Sequence, residues 1–494
     1  MIYQSTRSKT LKADSLQAVL KGLAPDGGLY LPQGLDAIAF DWKCTLTEDT
    51  KAIAVRVLSA LLPDFSNMPQ LVEQAYTGKF ETEELTPTVP VGGDYVLELF
   101  RGPTSAFKDV ALSMLPQLLC AAKAQTGDKD TTLILTATSG DTGKAALAGF
   151  ADVPGVRIVV FYPEEGVSPV QKAQMVTQTG ANVQVCAVKG NFDDAQTGVK
   201  RAFAACAAGA LPADSGVALS SANSINIGRL APQVTYYFKA YADLVRANRI
   251  TAGDPVDFVV PTGNFGDILA GYFAKKLGLP VGMLVCASNA NNVLTDFLTT
   301  GCYDRRRPFH KTDSPSMDIL VSSNLERLLY LITEGDTDAV AQWMNSLNVD
   351  GAYTVPQDVL EKLKEEFWAG CCCDVDTALT IKEVWDAHGY LMDTHTAVAW
   401  NVAQQYKKEV GADRPVVVLS TASPYKFPAA VLAALCPQQQ LTGDGFDQME
   451  QLQSLTGVPV PKNLSGLRQR AILHKDCIRP DQLLDYVLEA AKKN

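Results

Sequence analysis

A chain of 494 residues, 47% hydrophobic and 20% charged, is long enough for about three domains and for a large apolar core. Its 43 basic and 54 acidic residues leave a net charge of −11 with no basic block, which argues against nucleic acid or an anionic membrane as partner. A local pocket can still oppose that sign, so small anionic substrates remain open.

Residues 1–8 lack the apolar core of a signal peptide, and no apolar run approaches the roughly 20 residues that a membrane span needs. The 11 cysteines form no C-x-x-C pair, which suits reduced thiols and a cytoplasmic location. The 4 histidines are far apart in sequence, so no metal site is expected.

Residues 1–92 read as a helical layer, with helical patterning at 15–23 and 50–61 around the turn Ala24-Pro25-Asp26-Gly27-Gly28-Leu29-Tyr30. An apolar strand at 95–100 then runs through a Gly-Pro break into Thr104-Ser105-Ala106-Phe107-Lys108-Asp109. A helix follows, with Leu112, Leu115, Leu118 and Leu119 at helical spacing. Lys108 falls in its first turn, where the helix dipole disfavours a cation but not a neutral amine.

From there strands and helices alternate. Strands are expected at 132–136, 157–161, 183–188, 256–260, 282–286 and 416–419, and helices from 142, at 169–179, 193–208, 230–241 and 267–277. Near-continuous apolar strands in this rhythm mean a parallel sheet covered on both faces. Residues 300–375 interrupt it as a more charged, helical insertion, and 436–494 read as a helical extension.

In such a fold the chemistry lies outside the carboxyl ends of the strands. Three strand-to-helix turns stand out. Thr136-Ala137-Thr138-Ser139-Gly140-Asp141-Thr142-Gly143-Lys144 is either an anion-binding turn or a plain helix cap. It is no nucleotide P-loop, since Thr138 stands at the first glycine position and Ala145 at the magnesium-binding hydroxyl. Pro261-Thr262-Gly263-Asn264-Phe265-Gly266-Asp267 suits a phosphate monoester better than a dinucleotide, because the third glycine of the dinucleotide fingerprint is missing. Leu419-Ser420-Thr421-Ala422-Ser423-Pro424 ends the last strand in hydroxyls. A polar run, residues 220–229, precedes the helix at 230–241.

A lysine for an imine, a glycine loop for a phosphate and a partner for a ring nitrogen are what pyridoxal phosphate needs. Over nearly its full length the chain resembles the threonine synthase family. The resemblance rests on residues 23–30, 103–109 and 138–143, on Asn223-Ser224 with Arg229, and on 263–267, 393–398 and Thr421-Ala422. It implies the tryptophan-synthase β-subunit type of α/β fold (fold type II), with two open parallel-sheet domains. The division implied is a large cofactor domain from 93–130 and 230–435 and a smaller mobile domain from 131–229. The N-terminal layer and the insertion resemble the longer fungal and bacterial branch.

The family implies conversion of O-phosphohomoserine and water to threonine and phosphate. Two alternatives are a phospholyase giving 2-oxobutyrate and phosphate from the same substrate, and a non-catalytic binding protein of the same fold. The implied roles are Schiff-base lysine and proton shuttle for Lys108, phosphate cradle for Gly263, Asn264, Phe265, Gly266 and Asp267, and pyridine-nitrogen contact for Thr421. Asp141 falls at the cofactor's phenolic oxygen, while Ser139, Thr142, Asn223, Ser224 and Arg229 match the substrate site. The partner is then a small molecule, and the assembly a monomer or homodimer. Two positions depart from the family pattern. Ser423 replaces a histidine common among relatives. Asp141 replaces the asparagine of shorter relatives, and an aspartate beside an ionised phenolic oxygen repels it unless protonated or turned away.

Overall fold

The computed structural model describes residues 1–138, 140–164, 167–212, 214–411 and 414–492, and all statements below concern these. Two open sheets organise the chain. The larger has six strands in the order Phe367–Cys371, Val281–Ser288, Val256–Pro261, Val416–Ser420, Asp94–Glu98 and Thr88–Val91. All neighbours are parallel except the last pair. The smaller has five parallel strands, in the order Asp476–Ile478, Val183–Val188, Val156–Pro163, Thr131–Ala137 and Val217–Ser220.

The apolar runs become central strands because both of their faces are covered. Along the larger sheet Phe258, Val260, Val417 and Leu419 join the core beneath helices Ile227–Arg246 and Gly266–Lys276. The alternate residues Val259, Val416 and Val418 pack with Val398 and Val402 of helix Thr394–Val410 on the other face. Parallel strands also bring the turns after Glu98, Pro261 and Ser420 to one edge. The turns after Ala137 and Ser220 leave the matching edge of the smaller sheet. The helices that carry Lys108 and Asp141, Lys108–Thr126 and Asp141–Phe150, cross almost backbone to backbone. A Cβ on Gly149 would lie 2.0 Å from the Leu112 carbonyl oxygen.

Beyond the expected helices, the N-terminal layer carries a three-stranded antiparallel sheet of Lys12–Ala13, Tyr3–Ser5 and Tyr30–Pro32. Phe367–Cys371, read from sequence as part of the insertion, is an edge strand of the larger sheet. The C-terminal extension supplies an edge strand, Asp476–Ile478, to the smaller one. No helix among the described residues is long and apolar enough to cross a membrane.

Candidate active site

Lys108 opens helix Lys108–Thr126, just beyond the turn that follows strand Asp94–Glu98 of the larger sheet. The turn before it is fixed from both sides. Asp109 folds back so that its carboxylate accepts from the Thr104 amide at 2.8 Å and the Thr104 hydroxyl at 2.6 Å. Burial pushes this carboxyl up to about 6 despite the Thr104 hydrogen bonds. On the other side the Phe107 amide donates to the Thr421 carbonyl at 2.9 Å, and the Ser423 amide to the Ser105 carbonyl at 3.2 Å. The two loops implicated from sequence, 103–109 and 420–424, are thus stitched into one piece of backbone.

The Lys108 amine sits 4.7 Å from the centroid of the Phe107 ring and has no hydrogen-bond partner among the described residues. Burial is the main cause that pulls its pKa down to about 8. Lys426 and Arg229 pull in the same direction, and Asp141 and Asp267 oppose them. Such an amine is mostly protonated at pH 7 and mostly neutral above 8. Incorporation of an aldehyde into the apoprotein should therefore speed up about tenfold per pH unit below 8 and level off above it. Stopped-flow absorbance between pH 6 and 10 checks this. A rate still climbing at pH 10 would mean an ordinary exposed lysine.

Asp141 begins its helix, buried, in an ion pair with Lys426, which is itself fully buried. Its Oδ1 also accepts from Gln171 Nε2 at 2.7 Å, and its Oδ2 from Ser316 Oγ at 3.4 Å. Burial alone would raise this carboxyl. The Lys426 and Lys108 cations and the Gln171 hydrogen bond outweigh burial and hold it well below the usual carboxylate range. An internal cation therefore balances the charge of this carboxylate. Of its neighbours, Thr142 is partly buried, whereas Ser139 lies outside the described residues.

The glycine loop after Pro261 opens helix Gly266–Lys276 with Phe265 in the left-handed region, φ +65°, its ring buried against Phe367. The amides of Asn264, Phe265 and Gly266 donate to no described residue. Their carbonyl side is clamped. The Ser322 hydroxyl donates to Gly263 O at 2.8 Å, and the Asn324 amide to Asn264 O at 3.0 Å. Buried Arg327 links Asn324 back to the N-terminal layer by donating to the Tyr30 carbonyl at 3.0 Å. A Cβ on Gly263 would stand 2.7 Å from the Ser316 carbonyl oxygen, so only glycine fits there. Burial pushes the Asp267 carboxyl at the loop's end up to about 6.

Ser316 is itself held by its amide, which donates to His395 Nε2 at 3.1 Å. The His395 Nδ1 proton accordingly goes to Asp393 at 2.8 Å. Ser224 adjoins Gly266, with 3.8 Å between its Cβ and the position of a glycine Cβ there. Asn223 is exposed and Thr421 buried. Arg229 is fully buried in the first turn of helix Ile227–Arg246. One guanidinium nitrogen donates to the Ala222 carbonyl, Nε has no partner, and no carboxylate among the described residues pairs with it. Burial lowers its pKa to about 10, so it stays cationic at neutral pH.

Sequence reading passed over Lys426, Gln171, Ser316 and Asn324. Lys426 alone left a signal, as the one charge in the apolar run Ser423-Pro424-Tyr425-Lys426-Phe427-Pro428.

The chain matches the "Pyridoxal-phosphate dependent enzyme" family over residues 95–422, "Threonine synthase N terminus" over 2–76 and "Threonine synthase, C-terminal" over 396–471. It is 38% identical to threonine synthase of Saccharomyces cerevisiae, covering 88% of this chain and 89% of that protein. It is 39% identical to human threonine synthase-like 1 over 85% of its own length, but spans only 58% of that longer relative. The crystal structure of PLP-bound threonine synthase from Brucella melitensis superposes with a TM-score of 0.86 at 36% identity, covering 100% of both chains. The residues present fit this cofactor. Three undonated amides at a helix N-terminus suit its phosphate, and an unpartnered amine of lowered pKa suits its aldehyde. The chain belongs to the threonine synthase family of pyridoxal-phosphate-dependent enzymes.

Proposed function

We propose that this protein converts O-phosphohomoserine and water to threonine and phosphate. The observation that carries the reading is Arg229. The glycine loop accounts for one phosphate, and a buried guanidinium with a free Nε near the same amine asks for a second anion. A phosphorylated substrate supplies that anion. A bidentate arginine contact then gives both energy and orientation.

Pyridoxal phosphate, when bound, supplies an electron sink that acidifies the substrate's carbon-bound hydrogens. Lys108, with a pKa of about 8, can take up and return a proton near neutral pH, which suits it to shuttle protons among the substrate carbons. Arg229 retains the departing phosphate while the bond to the γ-carbon breaks, and water adds its oxygen at the β-carbon. Thr421, a neutral hydroxyl, serves the ring nitrogen without holding it protonated. Ser224, Asn223 and Thr142 line the substrate's side. Residues 131–229 form the lobe whose closure excludes water from the reacting carbons.

Incubation of the purified protein with O-phosphohomoserine, assayed for threonine, 2-oxobutyrate and phosphate, tests the reading. Threonine as the main product is expected. A main product of 2-oxobutyrate would replace the reading with a phospholyase, and no phosphate release would point to a binding protein. Arg229→Gln should lower kcat/KM by about 10- to 150-fold, the worth of a hydrogen bond to a charged group, while cofactor absorbance is retained. An unchanged kcat/KM would remove Arg229 from the substrate site.

A further inference from the structure

The C-terminal segment runs from the larger lobe to the smaller one and touches the lysine turn on its way. Helix Gly445–Thr456 packs Met449 and Leu452 into the larger sheet's core. Farther on, the Leu473 and His474 amides donate to the Val176 carbonyl at 2.9 and 3.1 Å, and Asp476–Ile478 joins the smaller sheet. Between these anchors stands Asn463. Its Nδ2 donates to the Gly102 carbonyl at 3.2 Å, and its Oδ1 accepts from Ser105 Oγ at 3.0 Å.

Ser105 has φ +59°, a left-handed conformation that a residue with a side chain keeps only where its surroundings impose it. Three residues later comes Lys108. From this juxtaposition we propose that Asn463 is a positioning residue for Lys108. Its side-chain amide holds Ser105 left-handed, and so keeps the first turn of helix Lys108–Thr126 where its lysine faces Asp141 and Asp267. Because the same segment continues into the smaller sheet, the lysine's aim is tied to both lobes. The inference rests on Lys108 as the point of cofactor attachment.

A double-mutant comparison tests this. Ser105→Ala, which loses the hydroxyl but not the backbone restraint, is the control against an ordinary tethering contact: it should weaken cofactor binding where Ser105→Gly does not. Pyridoxal phosphate is titrated into each apoprotein and followed by visible absorbance, with apoprotein melting measured alongside. Asn463→Ala should weaken cofactor binding by about 5- to 30-fold in the Ser105 background. In the Ser105→Gly background the same change should matter less than about twofold, because glycine adopts the conformation unaided. An equal loss in both backgrounds, or none in either, would overturn the proposal. If Asn463→Ala does not fold, Asn463→Leu carries the same comparison, since it fills a similar space and loses both the acceptor for Ser105 and the donor to Gly102. A wild-type protein that gains no visible band would overturn the attachment at Lys108, and this inference with it. A normal wild-type band with no background dependence would sink this inference alone.

Discussion

Lys108→Ala should leave a folded protein that gains no visible absorbance with pyridoxal phosphate and loses at least about 10³-fold in turnover of O-phosphohomoserine. The size of the loss follows from two roles in one amine, attachment and proton transfer. Folding should survive because the amine has no hydrogen-bond partner among the described residues to orphan, and Asp141 keeps Lys426. Measured together, melting temperature, absorbance and turnover separate loss of chemistry from loss of structure. A variant that still binds the cofactor covalently would move the site to another lysine.

Lys426→Met should be the most damaging change to stability near the site. Asp141 would be left buried and ionised with no ion-pair partner, keeping Gln171 and Ser316 as neutral hydrogen-bond partners and only the more distant influence of Lys108. Breaking a buried pair from one side costs about 3–5 kcal/mol, whereas removing both charges is far milder. Lys426→Met with Asp141→Asn should therefore recover most of the lost stability, read as a denaturant midpoint with an unchanged slope.

The pH dependence carries a sign. In the native protein Asp141 is held well below its ordinary value, so its contribution is present above about pH 4 and is lost as pH falls toward the folded value. Without Lys426 the largest influence opposing burial is lost and the carboxyl rises, so the folded variant takes up its proton at a higher pH than the native protein does. The deficit of Lys426→Met should then shrink as pH falls from 7 toward 5. A deficit that is flat with pH, or no rescue by Asp141→Asn, would mean that the two charges are not coupled.

These residues also mark how far the sequence could be read. Parallel strands such as Val256–Pro261 and Val416–Ser420 were legible because burial on both faces forces near-continuous apolar runs. The glycine loop at 263–266 was legible as a strand-to-helix turn because its glycines are local to one stretch of sequence. Lys426 and Asn463 were not, because their partners lie far along the chain: Asn463 meets Ser105 across 358 residues. Phe367–Cys371 was missed because five residues abutting the charged helix Gln357–Glu366 give no clear period. Asp476–Ile478 is an edge strand of three residues, two of them exposed, and carries no apolar signature.

The central claim concerns a single bond, and several lysines compete for it. Lys426 lies near enough to both Lys108 and Lys144 to lower their pKa values, and burial pulls Lys144, like Lys108, down to about 8. Borohydride reduction of the protein loaded with pyridoxal phosphate, followed by peptide mass mapping, reads the attachment point directly. The phosphopyridoxyl mass is expected on the peptide containing Lys108 and on no other. Labelling at Lys144 or Lys426, or no stable label, would contradict the account.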